Sequence, residues 1–153
     1  MTKEARNPND EESASQARAE AEFWGVTDDS EQMALHDGPA SKPVYDLEER
    51  TAKFGEAVVL FSKKIPLDAV NNRLIDQLVG ASTSVGANYC EADDGVSKKD
   101  FKNKIGTCRK EARETKFFLR MVATSEPELK PAARVLWQEA KELHLIFSKI
   151  WRS

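Results

Sequence analysis

From Phe101 to Val122 the chain sets Phe101, Ile105, Cys108, Ala112, Thr115, Leu119 and Val122 at alternating steps of four and three. That is a repeat of about 3.5 residues, one edge of a long helix. A helix with such an edge cannot bury it alone. It needs neighbouring helices that cross at a shallow angle, so the repeat points to helices packed on helices.

The flanking sequence supplies such partners. Leu47, Phe54, Val58, Phe61 and Ile65 fall on one helical face, and Ile65-Pro66 ends that stretch, because the residue before a proline is pushed out of the α region. A second stretch, about 68–92, opens on Asp68 as N-cap and carries Val70, Leu74, Leu78, Ala81, Val85 and Ala92. Its small residues Ser82, Ser84, Gly86 and Ala87 permit close approach, and Gly95 after it suits a left-handed turn. Ser97 and Asp100 form the cap of the third helix. The fourth, about 131–151, repeats the spacing with Leu136, Ala140, Leu143, Phe147 and Ile150. No stretch alternates with a period of two. Short links between long helices predict an all-α, antiparallel up-down-up-down four-helix bundle over residues 44–153.

Charge separates the remaining residues. Residues 1–43 hold ten Asp/Glu and four Lys/Arg, a net of −6, whereas 44–153 hold sixteen and nineteen, a net of +3. The first segment lacks apolar periodicity and is expected to be a disordered acidic tail. Phe23 and Trp24 stand out in it, as part of a transient helix around 17–24 or of a short docking segment. There is no apolar leader and no membrane-length run, and Cys90 and Cys108 read as free thiols, so a soluble cytoplasmic protein is expected.

Reaction chemistry finds no foothold. Only His36 and His144 are present, and neither follows a glutamate by three residues, as di-iron bundles require. Two cysteines and two histidines lie at no zinc spacing. No cofactor or metal is expected. The reading is of a protein without catalytic residues.

The third predicted helix carries nine Lys/Arg against three Asp/Glu between Ser97 and Thr124. Lys102, Arg109, Arg113, Lys116 and Arg120 each follow a seam position by one residue, which places them about 100° around the helix from the core. Lys98 and Lys99 extend the charge. These seven form the expected nucleic-acid-binding face, since a row of cations is the electrostatic footprint of phosphate backbones. Phe117 and Phe118 are consecutive, so one face cannot bury both. With Trp137 and Trp151 they form the expected oligomer or partner interface. Asn88, Glu91 and Glu114 are expected to join in a structural polar network across helices.

The run Thr83-Ser84-Val85-Gly86-Ala87-Asn88-Tyr89-Cys90-Glu91-Ala92 resembles the Ser-Ile-Gly-Ala-Asn-x-x-Glu-Ala signature of the bacterial four helix bundle protein family, also known as the 23S rRNA intervening-sequence protein family. Ser97-Lys98-Lys99-Asp100-Phe101 is similar to that family's opening of its third helix. Lys110-Glu111-Ala112-Arg113-Glu114-Thr115-Lys116-Phe117-Phe118-Leu119 is similar to its Lys-Glu-Ala-x-Glu-Thr-x-Tyr-Trp-Leu segment. Tyr45-Asp46-Leu47 fits the opening of the first. The resemblance implies an antiparallel four-helix bundle. A related protein, the accessory protein of diversity-generating retroelements, is a basic pentamer that associates with a reverse transcriptase and nucleic acid. The resemblance thus implies a homo-oligomer, a pentamer among its forms, with RNA, DNA or a reverse transcriptase as partner. It supplies no catalytic residue.

The acidic segment is complementary in charge to the basic row and can compete for it. Deleting residues 1–43 is expected to tighten RNA or DNA binding and to steepen its salt dependence, measured by filter binding across a salt series. Unchanged affinity would show that the segment does not compete.

Overall fold

A computed structural model of the chain describes residues 7–26, 46–95 and 97–153. The chain divides into two compact units, Met1–Pro43 and Val44–Ser153. All regular structure among the described residues is helical, with no strand.

In the first unit, residues Pro8–Trp24 form helix α1. This corrects the expectation of disorder for that stretch, and the helix is longer than the transient one expected around 17–24. Local chemistry accounts for it. Asn7 Oδ1 accepts from Asn9 N at 3.2 Å, Pro8 takes the first turn, and Asp10 and Glu11 sit at the positive end of the helix dipole. Gly25 closes the helix at φ 69°, with Val26 N bonded to Ala21 O at 2.9 Å and Gly25 N to Glu22 O at 3.2 Å. The expected disorder at 1–6 and 27–43 lies outside the described residues.

The second unit contains α2 (Leu47–Ser62), α3 (Ala69–Asp93), α4 (Lys98–Ser125), a 3₁₀ turn (Pro127–Leu129) and α5 (Lys130–Arg152). Their bounds follow the expected caps. Asp68 accepts from Asn71 N at 2.7 Å, and Ser97 Oγ accepts from Asp100 N at 3.1 Å. Gly95 departs from expectation: among the described residues only Gly25 has a positive φ. Space is what demands glycine at 95, where a Cβ would stand 2.8 Å from Ala92 O.

The helices pack in chain order, α2 on α3, α3 on α4 and α4 on α5, with a smaller contact from α2 to α5. The α4 seam lies at the centre. Ile105, Cys108, Ala112, Thr115, Leu119 and Val122 are each fully buried, while Phe101 at its start is 37% exposed. Leu47, Phe54, Val58, Phe61 and Ile65 are buried as their spacing predicts, and so are Leu78, Ala81, Val85 and Ala92. Four positions are corrected, Leu74 and Ile150 being only half-buried. Val70 is exposed, because the first turn of α3 turns Asn71 inward instead. Leu136 is half-buried, because its neighbour Trp137 fills the core position on α5 with Ala133, Ala140, Leu143 and Phe147.

Two polar clusters join helices that are distant in sequence. Arg50 of α2 donates through Nε to Glu139 at 2.7 Å and through Nη2 to Glu142 at 2.6 Å on α5. Asn71, fully buried, donates to Pro66 O at 2.8 Å and to Glu126 Oε1 at 2.9 Å, and accepts from Ser125 Oγ at 2.6 Å. The start of α3 is thereby tied to the end of α4. Asn71→Ala leaves these groups unmatched inside the protein, at a cost of about 1–3 kcal/mol. The thermal midpoint followed by circular dichroism should fall by roughly 3–4 °C for each kcal/mol of that cost. A midpoint equal to that of the unaltered chain would show that the cluster adds nothing.

Candidate nucleic-acid interface

The buried seam of α4 fixes its rotation, and the basic row follows from that. Lys98, Lys99, Lys102, Lys110 and Arg113 are exposed, while Arg109, Lys116 and Arg120 are half-buried. From Lys102 to Arg120 the row runs along roughly 27 Å of helix. Lys98 and Lys99 sit in the first turn, where the helix dipole disfavours cations, with Asp100 beside them as partial compensation.

The structure brings the row against α5. Lys102 Nζ lies 5.0 Å from the centre of the Trp151 ring and the Arg109 guanidinium 4.3 Å from it. Lys116 Nζ and Lys141 Nζ lie 5.7 and 5.4 Å from the Trp137 ring. Each such contact contributes about 0.5–1 kcal/mol at an exposed site and, above all, fixes where the charge stands. Gly106 makes the Trp151 contact possible, since a Cβ there would meet Trp151 Nε1 at 3.2 Å. Trp151 thus lies in a slot on α4 between Lys102 and Arg109.

His144 of α5 reports the resulting field. Burial, and then the charges of Lys116, Arg113, Arg109 and Arg152, push its imidazole down to about 4. Three cations of α4 and one near the end of α5 thus lend their charge to the surroundings of this ring. The basic surface belongs to two helices, which the one-helix sequence reading misses. The signal available is the position of His144 midway between Trp137 and Trp151.

The remaining expected site residues separate. Trp137 is 1% exposed, a core residue of this chain, so it is corrected as a partner contact. Trp151 is half-buried, with Lys102 and Arg109 over its ring. Phe118 is half-buried and packs edge-on against Phe117, which stays 53% exposed. Asn88, Glu91 and Glu114 do not form one network. Asn88 Nδ2 donates to Ser84 O of its own helix at 2.8 Å, Glu91 pairs with Lys104 of α4, and Glu114 lies 3.9 Å from Lys110 within α4. Of the three, only Glu91 bonds across helices, and Arg50 and Asn71 make further bonds of that kind.

The thiols are placed differently. Cys108 donates to Val85 O at 3.4 Å, and burial pushes it up to about 12, a core group rather than a nucleophile. Cys90 is exposed, with Sγ 3.7 Å from Glu48 Oε1. His36 lies outside the described residues. Among the described residues no three His, Cys, Asp or Glu side chains gather as metal ligands, and no helix is long and apolar enough to cross a membrane.

Helices packed on helices, with a cationic face shared by two of them, define a helical protein of the charged-surface kind. Its family follows from comparison. The profile of the 23S rRNA-intervening sequence protein family matches residues 45–149, and the chain belongs to that family. A crystal structure from Bacteroides thetaiotaomicron, described as a protein with unknown function from the S23 ribosomal protein family, shares the fold. It is 24% identical with a TM-score of 0.61, covering 69% of this chain and 98% of that one. Comparison with curated proteins gave no match.

The His144 environment has a pH consequence. Its ordinary value is 6.5 and its folded value about 4. Between those pH values the unfolded chain binds a proton at this ring and the folded chain does not. Stability is therefore full above 6.5 and falls as pH drops toward 4. Urea midpoints measured across that window should decline, and His144→Asn should flatten the decline. An imidazole titrating near 6.5 by NMR would contradict the placement.

Proposed function

We propose that this chain is a non-enzymatic, self-associating protein of the cytoplasm that binds nucleic acid through the face shared by α4 and α5. The attraction is to phosphates, without reading of bases along the row. The observation that carries the reading is the placement of Lys102, Arg109 and Lys116 of α4 over the Trp151 and Trp137 rings of α5, with Arg113 and Arg120 continuing the row. Like charges set along one face repel one another, and a bound polyanion relieves that repulsion while releasing its counterions. The family's name, tied to an rRNA intervening sequence, agrees with RNA as the polyanion. A nucleic-acid enzyme such as a reverse transcriptase is the expected protein partner, and a ring of subunits, a pentamer among the possibilities, would repeat the cationic face.

The same proposal takes residues 44–153 as an antiparallel up-down-up-down four-helix bundle behind an acidic N-terminal segment. The bonds between helix ends support it. Asn71 at the start of α3 meets Ser125 and Glu126 at the end of α4, and Glu91 near the end of α3 meets Lys104 near the start of α4.

A second reading is a protein-interaction module that docks a partner on exposed aromatics. The exposure of Phe117, at 53%, favours it. It predicts a complex insensitive to salt.

Replacing Arg109, Arg113, Lys116 and Arg120 together with Gln tests the first reading. The slope of log affinity against log salt should flatten by about 3 to 4, close to one unit for each phosphate no longer neutralised. An unchanged slope, measured by fluorescence anisotropy, would remove it.

A further inference from the structure

A hollow of about 470 Å³ lies on the other side of the basic row, where α3 meets α4. It is lined by Gln77 of α3 and by Lys110, Arg113, Glu114, Phe117 and Phe118 of α4. The volume falls within the usual range of small-ligand sites. Lys110, Arg113, Glu114 and Phe117 are spaced three, four and seven apart, so they share one helical face. Arg113 belongs to two surfaces at once. It lines this hollow, and its charge also reaches His144 on the α5 side.

We infer that this hollow holds one unpaired nucleotide of a bound strand. The inference rests on the phosphate reading above and extends it from a charged surface to a built subsite. Each lining group answers to a part of a nucleotide. The Phe117 ring is 53% exposed and stands edge-to-face with Phe118 at 5.4 Å and 80°, so it offers open aromatic surface to a base. Lys110 and Arg113, both exposed, supply charge for the adjoining phosphate, and the planar Arg fork suits its oxygens. Gln77 offers both donors and acceptors to a base edge. Glu114 offers acceptors alone, and its proximity to Lys110 at 3.9 Å holds its charge away from the phosphate.

The remaining aromatic rings of the basic surface are poor alternatives for stacking. Trp137 is buried, and Trp151 is half-buried with Lys102 and Arg109 over its ring. Phe101, beside Lys102, is 37% exposed, and Phe117 at 53% is the more open ring of α4 and the one that lines the hollow. Within a duplex, stacking covers the base faces and pairing occupies their edges, so a duplex can use the row but not the hollow. Preference for single strands is the expected signature.

The test uses the full chain and two fluorescein-labelled probes of the same length, about ten nucleotides, one single-stranded RNA and one blunt RNA duplex. Anisotropy should show both binding, with salt dependence. Phe117→Ala should weaken the single strand about tenfold and leave the duplex unchanged, and Phe117→Tyr should restore the single-strand affinity. Equal loss on both probes, or loss on neither while salt-dependent binding persists, overturns the subsite and spares the phosphate reading. A chain that binds neither probe removes both. Light scattering completes the set. A subunit number altered by Phe117→Ala assigns the aromatic pair to a second copy of the chain, against this inference, and an unaltered number supports it.

Discussion

The burial of the α4 seam is the constraint on which the rest depends. Six of its residues are inaccessible to water, and exposing them would forfeit several kcal/mol in aggregate, since each large apolar side chain is worth roughly 1.5–3. The helix therefore has one permitted rotation about its axis. Every other residue on α4 inherits its direction from that choice. Cations placed one position beyond the seam land at the border with α5, and residues placed on the opposite shoulder, such as Lys110 and Phe117, land at the border with α3. Charge and aromatic surface are consequences of the core rather than independent features.

Helix positions and most of the core are legible in the sequence because burial imposes a period and caps impose punctuation. Ser97, Asp68 and Pro66 mark boundaries by chemistry that acts within a few residues, and such signals survive in a one-dimensional reading. Where two neighbours compete for one inward position, the pattern misleads. Val70 yields to Asn71 because the polar residue has partners waiting on α4. Leu136 yields to Trp137 because the larger ring removes more apolar surface from water. Helix α1 passes for disorder because its support comes from Asn7, Pro8 and Gly25 rather than from an apolar stripe. Composition alone does not weigh caps.

The candidate site shows the same division. Which residues of α4 carry charge and share a face can be read from their spacing. What those charges meet cannot, because the partners lie on another helix. Trp151 reaches α4 through the space left by Gly106, and no periodicity announces a slot made by the absence of a side chain. Asn88, Glu91 and Glu114 look like a network in the sequence because they are polar residues in helical stretches. Asn88 and Glu114 bond within their own helices, Glu91 reaches only the next helix, and the long-range bonds belong to Arg50 and Asn71, whose partners lie 89 and 55 residues away in the chain.

The Arg50 clamp also bears on the order in which the structure assembles. Contacts between α3 and α4, and between α4 and α5, link segments adjacent in the chain and close short loops. The bonds from Arg50 to Glu139 and Glu142 span 89 and 92 residues, so the entropy of ring closure must be met before they form. Low-separation contacts are made quickly and high-separation ones late. By that measure the contacts between chain-neighbouring helices, α2 on α3 included, form before the Arg50 clamp closes α2 onto α5. In kinetic terms, weakening the clamp should hasten unfolding while leaving the speed of folding nearly untouched.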